Sequence, residues 1–326
     1  MRIGVVGAGA WGTALAQLAG ASGEPVTIWA REEEVARAIN DRHENSVFLA
    51  GIALSPSISA TTDAHGLDGC DALLIVAPAQ YLGQVLASID VDRSPLVLCA
   101  KGIEGSTGRL MSEVARDVHP KAPIAVLSGP TFAHEVARGL PTAVTLACDD
   151  ATLAQRLADR LASPSFRPYR SDDVIGAEIG GAVKNVVAIA CGVVAGLGLG
   201  ENARAALIAR GFAEMTRFGV ARGGRAETLA GLSGLGDLVL TCSSRQSRNF
   251  SLGFALAQGT PAGDVVGQGQ TVAEGAFTAP VLALEAARLG VDMPVVAAVC
   301  GLIEGQVTAR KAVEALMARP LRGEIW

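Results

Sequence analysis

Short apolar runs alternate with amphipathic stretches along the first half of the chain, as in strands separated by helices. The predicted strands are Ile3–Val6, Val26–Trp29, Ala72–Ala77, Leu96–Ala100 and Ile124–Leu127. A further strand is predicted from Pro141 to Cys148, and the proline favours a place at a sheet edge. Strands alternating with helical patterns indicate a parallel sheet with crossover helices.

The second half of the chain, from about Ile175, has a different pattern. Apolar residues recur there with helical periodicity among alanines, and glycine and proline clusters separate the segments. Helices are predicted over Gly180–Leu197, Ala203–Gly219, Ala226–Ala230, Asn249–Gln258, Thr278–Gly290 and Pro294–Glu304. We therefore predict an α/β fold, with a sheet domain at residues 1–178 and an all-helical C-terminal domain at residues 179–326.

A glycine turn follows the first predicted strand. Gly7, Gly9 and Gly12 have the spacing G-x-G-x-x-G and lead into an alanine-rich helical segment. The first glycine of such a motif permits a tight turn, the second lets the backbone approach a pyrophosphate, and the third allows close helix–strand packing. A purely structural turn is the alternative. The strand before and the helix after favour a Rossmann-type dinucleotide-binding domain.

The end of the second strand bears on the choice of cofactor. A site selective for NAD usually has Asp or Glu there, to bind the ribose 2′-hydroxyl. Here Arg31 stands near that point and Glu32 follows it. A guanidinium suits a 2′-phosphate, so NADP(H) is favoured and NAD(H) is also possible. The alternative is that Arg31 is only a solvated surface charge.

Composition and charge exclude several other classes of protein. Of the 326 residues 50% are hydrophobic, so a large core can form, and the formal net charge is -5. The 27 basic residues are mixed with acidic ones and form no stripe, which argues against nucleic-acid binding. A small-molecule substrate is the partner expected.

Membrane insertion and disulfides are not expected either. The uncharged run from Asn185 to Gly200 is shorter than the roughly 20 apolar residues that span a bilayer. We predict a buried core helix there, no transmembrane segment and no signal peptide. The 6 cysteines are scattered without C-x-x-C spacing, which predicts no metal site and a reducing, cytoplasmic location.

Candidate chemistry falls at strand ends and in one helix. Lys101 follows the strand at Leu96, and Gly129 and Thr131 follow the next strand, so all three are expected at the carboxyl edge of the sheet. Lys184 interrupts an otherwise uncharged helix. Burial lowers the pKa of a lysine and makes it a usable acid–base group near neutral pH. Alternatively, Lys101 is merely exposed and Lys184 extends out of the helix end to solvent.

A last cluster combines a serine, an arginine and a helix start. Ser247, Arg248 and Asn249 open a predicted helix, and Asp237 follows a glycine-rich loop upstream. A helix N-terminus with a guanidinium makes a good phosphate receptor. The alternative is ordinary helix capping by Ser247 beside an exposed arginine.

Seven motifs in this order resemble those of bacterial NAD(P)-dependent sn-glycerol-3-phosphate dehydrogenases, and the similarity runs from about Ile3 to Arg319. The motifs lie at Gly7–Leu15, Ala100–Gly102, Ser128–Ala133, Gly180–Asn185, Ala230–Leu238, Thr241–Asn249 and Val272–Gly275. The resemblance implies reversible reduction of dihydroxyacetone phosphate to sn-glycerol 3-phosphate for phospholipid synthesis.

The resemblance also implies site residues. Lys184 would transfer the proton, and Lys101 would assist at the carbonyl oxygen. Substrate-binding positions would be Lys101, Gly129, Thr131, Lys184, Asn185, Asp237, Ser247, Arg248 and Asn249. Cofactor-binding positions would be Gly7, Gly9, Ala10, Trp11, Gly12, Arg31, Lys101, Ala133, Arg248, Val272 and Glu274. Ala10 stands where many members have serine, and the segment around Val272 is one residue longer than in some relatives.

Two other readings remain open on the residues alone. One is a related two-domain dehydrogenase acting on 3-hydroxy acids or sugar acids, which would also use a lysine and an asparagine early in the long helix. The other is a nicotinamide-sensing regulator that kept the fold without the activity. Alanine- and glycine-rich helices can pack between subunits, which is compatible with a homodimer.

Overall fold

The first half of the chain forms an eight-stranded sheet. The computed structural model describes residues 1–91, 93–263 and 273–320. The strand order is β3-β2-β1-β4-β5-β6-β7-β8. The strands are β1 Ile3–Val6, β2 Val26–Trp29, β3 Ile58–Thr61, β4 Ala72–Ile75, β5 Leu96–Leu98, β6 Ile124–Ser128, β7 Thr142–Cys148 and β8 Phe166–Ser171.

Helices surround the sheet and build the rest of the molecule. Those of the first half are α1 Ala10–Gly20, α2 Glu33–Arg42, α3 Leu82–Ala87, α4 Met111–Val118, α5 Ala133–Ala137 and α6 Ala151–Leu161. Those described in the second half are α7 Val174–Gly196, α8 Gly200–Ala221, α9 Ala226–Leu229, α10 Asp237–Cys242, α11 Arg248–Ala257, α12 Glu274–Arg288, α13 Pro294–Ile303 and α14 Ala309–Met317. The predicted fold class is therefore confirmed, while the domain division at residue 178 stays a prediction.

The sheet departs from the predicted one at its far side. Strand β7 pairs antiparallel with β6 and parallel with β8, so it lies inside the sheet and the predicted edge position is wrong. Pro141 precedes the strand, which begins at Thr142, and its missing N–H therefore removes no bond from the ladder. Strand β8 lies at the edge of the sheet and contains Pro168. This fits the usual place of proline in edge strands, where its missing N–H leaves no ladder bond unmade.

Helix α7 is the centre of the helical half. Helices α8, α10, α11, α12 and α13 all pack against it, and nearly all of its residues are buried. It is the one helix among the described residues that is long and apolar enough to cross a membrane, but 89% of its most apolar window is buried inside the fold. Its apolar surface is covered by protein, as the sequence predicts for a core helix.

Two glycines allow α7 and α11 to cross with their backbones in contact. A Cβ added at Gly192 of α7 would lie 2.0 Å from the carbonyl oxygen of Phe250, and one added at Gly253 of α11 would lie 1.9 Å from that of Ile189. Both distances are far below van der Waals contact. The crossing brings the start of α11 beside the middle of α7, where Lys184 and Asn185 lie.

We expect Gly253→Ala to lower the free energy of unfolding by about 1–3 kcal/mol or more, because the added methyl group must separate the two helices. Denaturant unfolding measures the change. Gly301→Ala in α13 is the matched control, because its Cβ would meet Val307 at an ordinary 3.4 Å. That variant should be neutral or up to about 1 kcal/mol more stable. Equal losses in both variants would contradict the packing argument.

Candidate active site

The candidate site lies where the carboxyl edge of the sheet meets α7. Lys101 follows β5 and Gly129 follows β6, so both stand at that edge. Lys184 projects from α7, which packs against β6. Asp237 is the first residue of α10 and follows a π-helical turn, Leu232–Gly236. Four separate segments thus contribute to one location.

A carboxylate joins the two lysines. Lys184 Nζ donates to Asp237 Oδ1 at 2.7 Å, and Lys101 Nζ donates to Asp237 Oδ2 at 2.7 Å. The Asp237 side chain is 1% exposed, against 9% for Lys184 and 15% for Lys101. Since each oxygen accepts from a different ammonium group, one buried acid fixes the position of both bases. The alternative of a lysine extending to solvent does not hold for Lys184.

Further oxygen atoms surround both ammonium groups. Lys184 Nζ also donates to Thr241 Oγ1 at 2.9 Å, while Lys101 Nζ donates to the Gly129 carbonyl at 3.0 Å. Thr131 Oγ1 lies 3.5 Å from Lys101 Nζ. Sequence reasoning missed Thr241 as a site residue. A usable signal was present, because Thr241 stands four residues after Asp237 and shares its helix face.

Burial and charge shift the pKa values in opposite ways. Burial lowers the pKa of Lys184 to about 8, an effect that Asp237 partly offsets and Lys101 reinforces. Burial alone would raise the pKa of Asp237, but Lys101 and Lys184 hold it below its ordinary value. At neutral pH the cluster is therefore an ionised carboxylate with a lysine that can lose its proton in a mildly basic range.

Two buried asparagines adjoin the lysines. Asn185 Nδ2 donates to the Lys101 carbonyl at 3.2 Å, and Asn249 Nδ2 donates to Asn185 Oδ1 at 2.8 Å. Ser247 Oγ accepts from the Phe250 N–H at 3.2 Å, so Ser247 is the N-cap of α11. The capping alternative thus holds for its hydroxyl. All three side chains belong to the same end of the helical half as Lys184.

Arg248 and Glu274 lie close enough for their charges to interact. Arg248 is the first residue of α11 and is exposed to solvent, but nearby protein atoms lower the pKa of its guanidinium, and Glu274 partly offsets this. Glu274 Oε1 accepts from the Ala79 N–H at 3.2 Å, while its Oε2 is buried with no partner among the described residues. Burial raises the pKa of Glu274 to about 7.

The three glycines of the turn have different surroundings. Gly7 has φ +111°, and a Cβ there would lie 2.9 Å from the Val76 carbonyl oxygen. A Cβ at Gly12 would lie 1.9 Å from the Gly7 carbonyl oxygen. By contrast, a Cβ at Gly9 meets no atom within 4 Å. Gly7 and Gly12 therefore close the turn, and Gly9 presents bare backbone to open space.

That open space suits a dinucleotide. Gly9 is the N-cap of α1 and provides no side-chain cap, so the first N–H groups of the helix, at Ala10 and Trp11, are available to phosphate oxygens. Trp11 Nε1 is buried without a partner among the described residues. Ala133 begins α5, which packs against α1. These residues fit a bound pyrophosphate.

The remaining predicted cofactor residues differ in how the structure places them. Arg31 lies just beyond β2 and its side chain is 86% exposed. Its Nε and Nη2 both donate to Glu32 Oε1, at 3.0 and 2.7 Å. Val272 lies outside the described residues. Within the described ranges, histidine, cysteine and acidic side chains form no group of three that could hold a metal ion.

A dinucleotide-type glycine turn and a lysine–carboxylate–lysine cluster lie at the carboxyl edge of the same sheet, which is typical of a nicotinamide-dependent oxidoreductase. Two family models match this chain. One describes the NAD-dependent glycerol-3-phosphate dehydrogenase N-terminus and matches residues 2–154, and the other describes the C-terminus of the same enzyme and matches residues 173–314. The chain belongs to the NAD-dependent glycerol-3-phosphate dehydrogenase family.

Individual relatives agree over the full length. Glycerol-3-phosphate dehydrogenase [NAD(P)+] of Novosphingobium aromaticivorans is 62% identical over 99% of this chain and 98% of its own. The protein of that name from Caulobacter vibrioides is 55% identical, with the same coverage. The crystal structure of glycerol-3-phosphate dehydrogenase from Coxiella burnetii superposes with a TM-score of 0.92 at 37% identity, covering 98% of this chain and 99% of that one.

We expect Lys184 to titrate with a midpoint of about 8. The chain has only four lysines, Lys101, Lys121, Lys184 and Lys311, so NMR of lysine-labelled protein can follow each one. Asp237→Asn should lower the Lys184 midpoint further, because the attraction of the carboxylate for the ammonium is lost. Circular dichroism checks that the variant folds. An unchanged midpoint in the folded variant would contradict the assigned ion pair.

Proposed function

We propose that this protein catalyses the reversible NAD(P)H-dependent reduction of dihydroxyacetone phosphate to sn-glycerol 3-phosphate, which feeds glycerophospholipid synthesis. The relatives that match it over nearly its whole length carry the name of this activity. The single observation that supports the chemistry is the Asp237 bridge, which holds Lys101 and Lys184 together at the sheet edge beside the glycine turn.

Lys184 is the proposed proton donor and acceptor. Reduction of a ketone needs a hydride at carbon and a proton at oxygen, and a bound nicotinamide supplies the hydride. A lysine with a pKa of about 8 is well matched to general acid–base work near neutral pH. Asp237 and Thr241 hold Lys184 Nζ at one place, so the proton is delivered from a defined direction.

Lys101 is the proposed stabiliser of negative charge on the carbonyl oxygen. Its ammonium is held by Asp237 and by the Gly129 carbonyl, and this fixed position minimises reorganisation during the reaction. Gly129 and Thr131 form the turn on the other side of Lys101 and are proposed to contact substrate there. Because both lysines bind the Asp237 carboxylate, a movement of one lysine shifts the hydrogen bond of the other.

The start of α11 is the proposed phosphate receptor. Arg248 supplies a guanidinium that is exposed to solvent, and Ser247 and Asn249 flank it at the helix N-terminus. Asn185 and Asp237 would fix the substrate hydroxyls or the lysines themselves. Binding the phosphate away from the reacting carbon helps orient the ketone between the two lysines.

The cofactor is proposed to bind along the glycine turn. Gly7, Gly9 and Gly12 with the α1 N-terminus would hold the pyrophosphate, and the other proposed contacts are Ala10, Trp11, Arg31, Lys101, Ala133, Arg248, Val272 and Glu274. We propose a preference for NADP(H) on the strength of Arg31, with NAD(H) also accepted. The pairing of Arg31 with Glu32 weakens this preference, since the carboxylate would oppose a 2′-phosphate. A homodimer and a cytoplasmic location are likewise proposed.

Lys184→Met should lower turnover by on the order of 10²–10⁴-fold while leaving NADPH binding intact. In the parent enzyme, ketone reduction should fall as pH rises through about 8, because the donor form of Lys184 is lost. Oxidation of glycerol 3-phosphate should rise through the same range, because the neutral amine is the acceptor. Initial rates in both directions and NADPH fluorescence titration measure these effects. Near-normal turnover of the variant would refute the role.

Arg248→Ala should raise the KM for dihydroxyacetone phosphate by at least about tenfold, as expected when a charge-assisted contact to phosphate is lost. The slow reduction of unphosphorylated dihydroxyacetone should change much less. Arg245→Ala is the matched control, because Arg245 stacks on Phe254 of the same helix. Equal losses on both ketones would argue against a phosphate receptor.

A further inference from the structure

Three hydrogen bonds run in series from the start of α12 to the main chain of Lys101. The Gly275 N–H donates to Asn249 Oδ1 at 2.9 Å, and Asn249 Nδ2 donates to Asn185 Oδ1 at 2.8 Å. Asn185 Nδ2 then donates to the Lys101 carbonyl at 3.2 Å. We call these three bonds the amide relay. It connects α12, α11, α7 and the segment after β5.

Each asparagine of the relay accepts at its oxygen and donates at its nitrogen. Asn185 is 5% exposed and Asn249 is 7% exposed, so protein surrounds both amides. A carboxylate could accept in place of either side chain but could not donate onward. The chemistry of an amide is therefore needed at both positions for the series to reach Lys101.

The packing around the relay leaves little freedom for it to shift. A Cβ added at Gly275 would lie 2.6 Å from the Asn185 carbonyl oxygen and 2.9 Å from Asn249 Oδ1. On the other side, a Cβ at Gly181 would lie 3.2 Å from Lys101 Cγ. Glycines at both ends let the backbones approach closely enough for the three bonds to form.

We propose that Asn249 is a positioning residue that acts on Lys101 through Asn185, in addition to any contact it makes with substrate. Asp237 and Gly129 hold the tip of the Lys101 side chain, and the relay holds its main chain. Together they define where the ammonium stands relative to Lys184. The inference rests on the proposed role of Lys101 at the carbonyl oxygen.

A double-mutant cycle tests the proposal. Asn249→Ala and Asn249→Asp should each lower kcat, measured at saturating dihydroxyacetone phosphate, by about ten- to hundredfold, as small displacements of catalytic groups do. Any accompanying rise in KM reports a lost contact with substrate and is separate from this effect. In a Lys101→Met background the same substitutions of Asn249 should cause no further loss of kcat. Asn249→Asp keeps the acceptor for Gly275, so it remains informative if Asn249→Ala fails to fold.

The matched control is Asn40→Asp. The Asn40 amide also donates and accepts, bonding to the carbonyl and N–H of Ala60, but it lies on α2 away from the lysines. That variant should keep the parental kcat. Two results would overturn the positioning role and leave Asn249 as a substrate contact alone. One is a raised KM with unchanged kcat, and the other is a loss of kcat as large in the Lys101→Met background as in the parent.

A second readout does not depend on turnover. In lysine-labelled protein, Asn249→Asp should move the NMR signal of Lys101 and leave those of Lys121 and Lys311 unchanged. An unmoved Lys101 signal in the folded variant would overturn the relay even if activity fell. If the parent enzyme shows no turnover with dihydroxyacetone phosphate, the proposed function fails, while this measurement still decides whether the relay reaches Lys101.

Discussion

The shared carboxylate of Asp237 is the interaction on which the rest of the site depends. Two ammonium groups cannot be held close together inside a protein unless a compensating charge is buried with them. Asp237 is almost completely buried and accepts a hydrogen bond from one lysine with each oxygen. This single contact sets α7, α10 and the segment after β5 relative to one another, because each supplies one of the three side chains.

Close approach of backbones makes that contact possible. The glycines of α7 and α11 let two helices touch main chain to main chain, and the π-helical turn before α10 packs its Ser233 carbonyl where a Cβ on Gly180 would otherwise stand. An arrangement of larger residues would move Lys184 away from the sheet edge. Only 4% of the residues are aromatic. Small side chains in their place suit a helical core in which backbones approach closely.

Much of the fold and part of the candidate site could be predicted from local sequence pattern. The other features depend on contacts between distant segments or on strands with weak apolar patterns. Apolar runs identified the buried strands and glycine spacing identified the turn. Strands β3 and β8 were not predicted from the sequence, because they are half exposed and only partly apolar. The direction of β7 depends on its pairing with β6, which no local pattern encodes. Lys184 was recognisable as a charge in an apolar helix, but its partners Asp237 and Thr241 come from a segment more than fifty residues away.

The antiparallel direction of β7 affects which residues lie at the carboxyl edge of the sheet. In a fully parallel sheet the chain leaving β6 would cross to the opposite edge before returning. Here it turns back on the same side, because Ser128 at the end of β6 pairs antiparallel with Thr145 in the middle of β7. The connecting segment therefore stays at the carboxyl edge of the sheet. It carries both Thr131, which lies next to Lys101, and α5, which packs against α1 after the glycine turn.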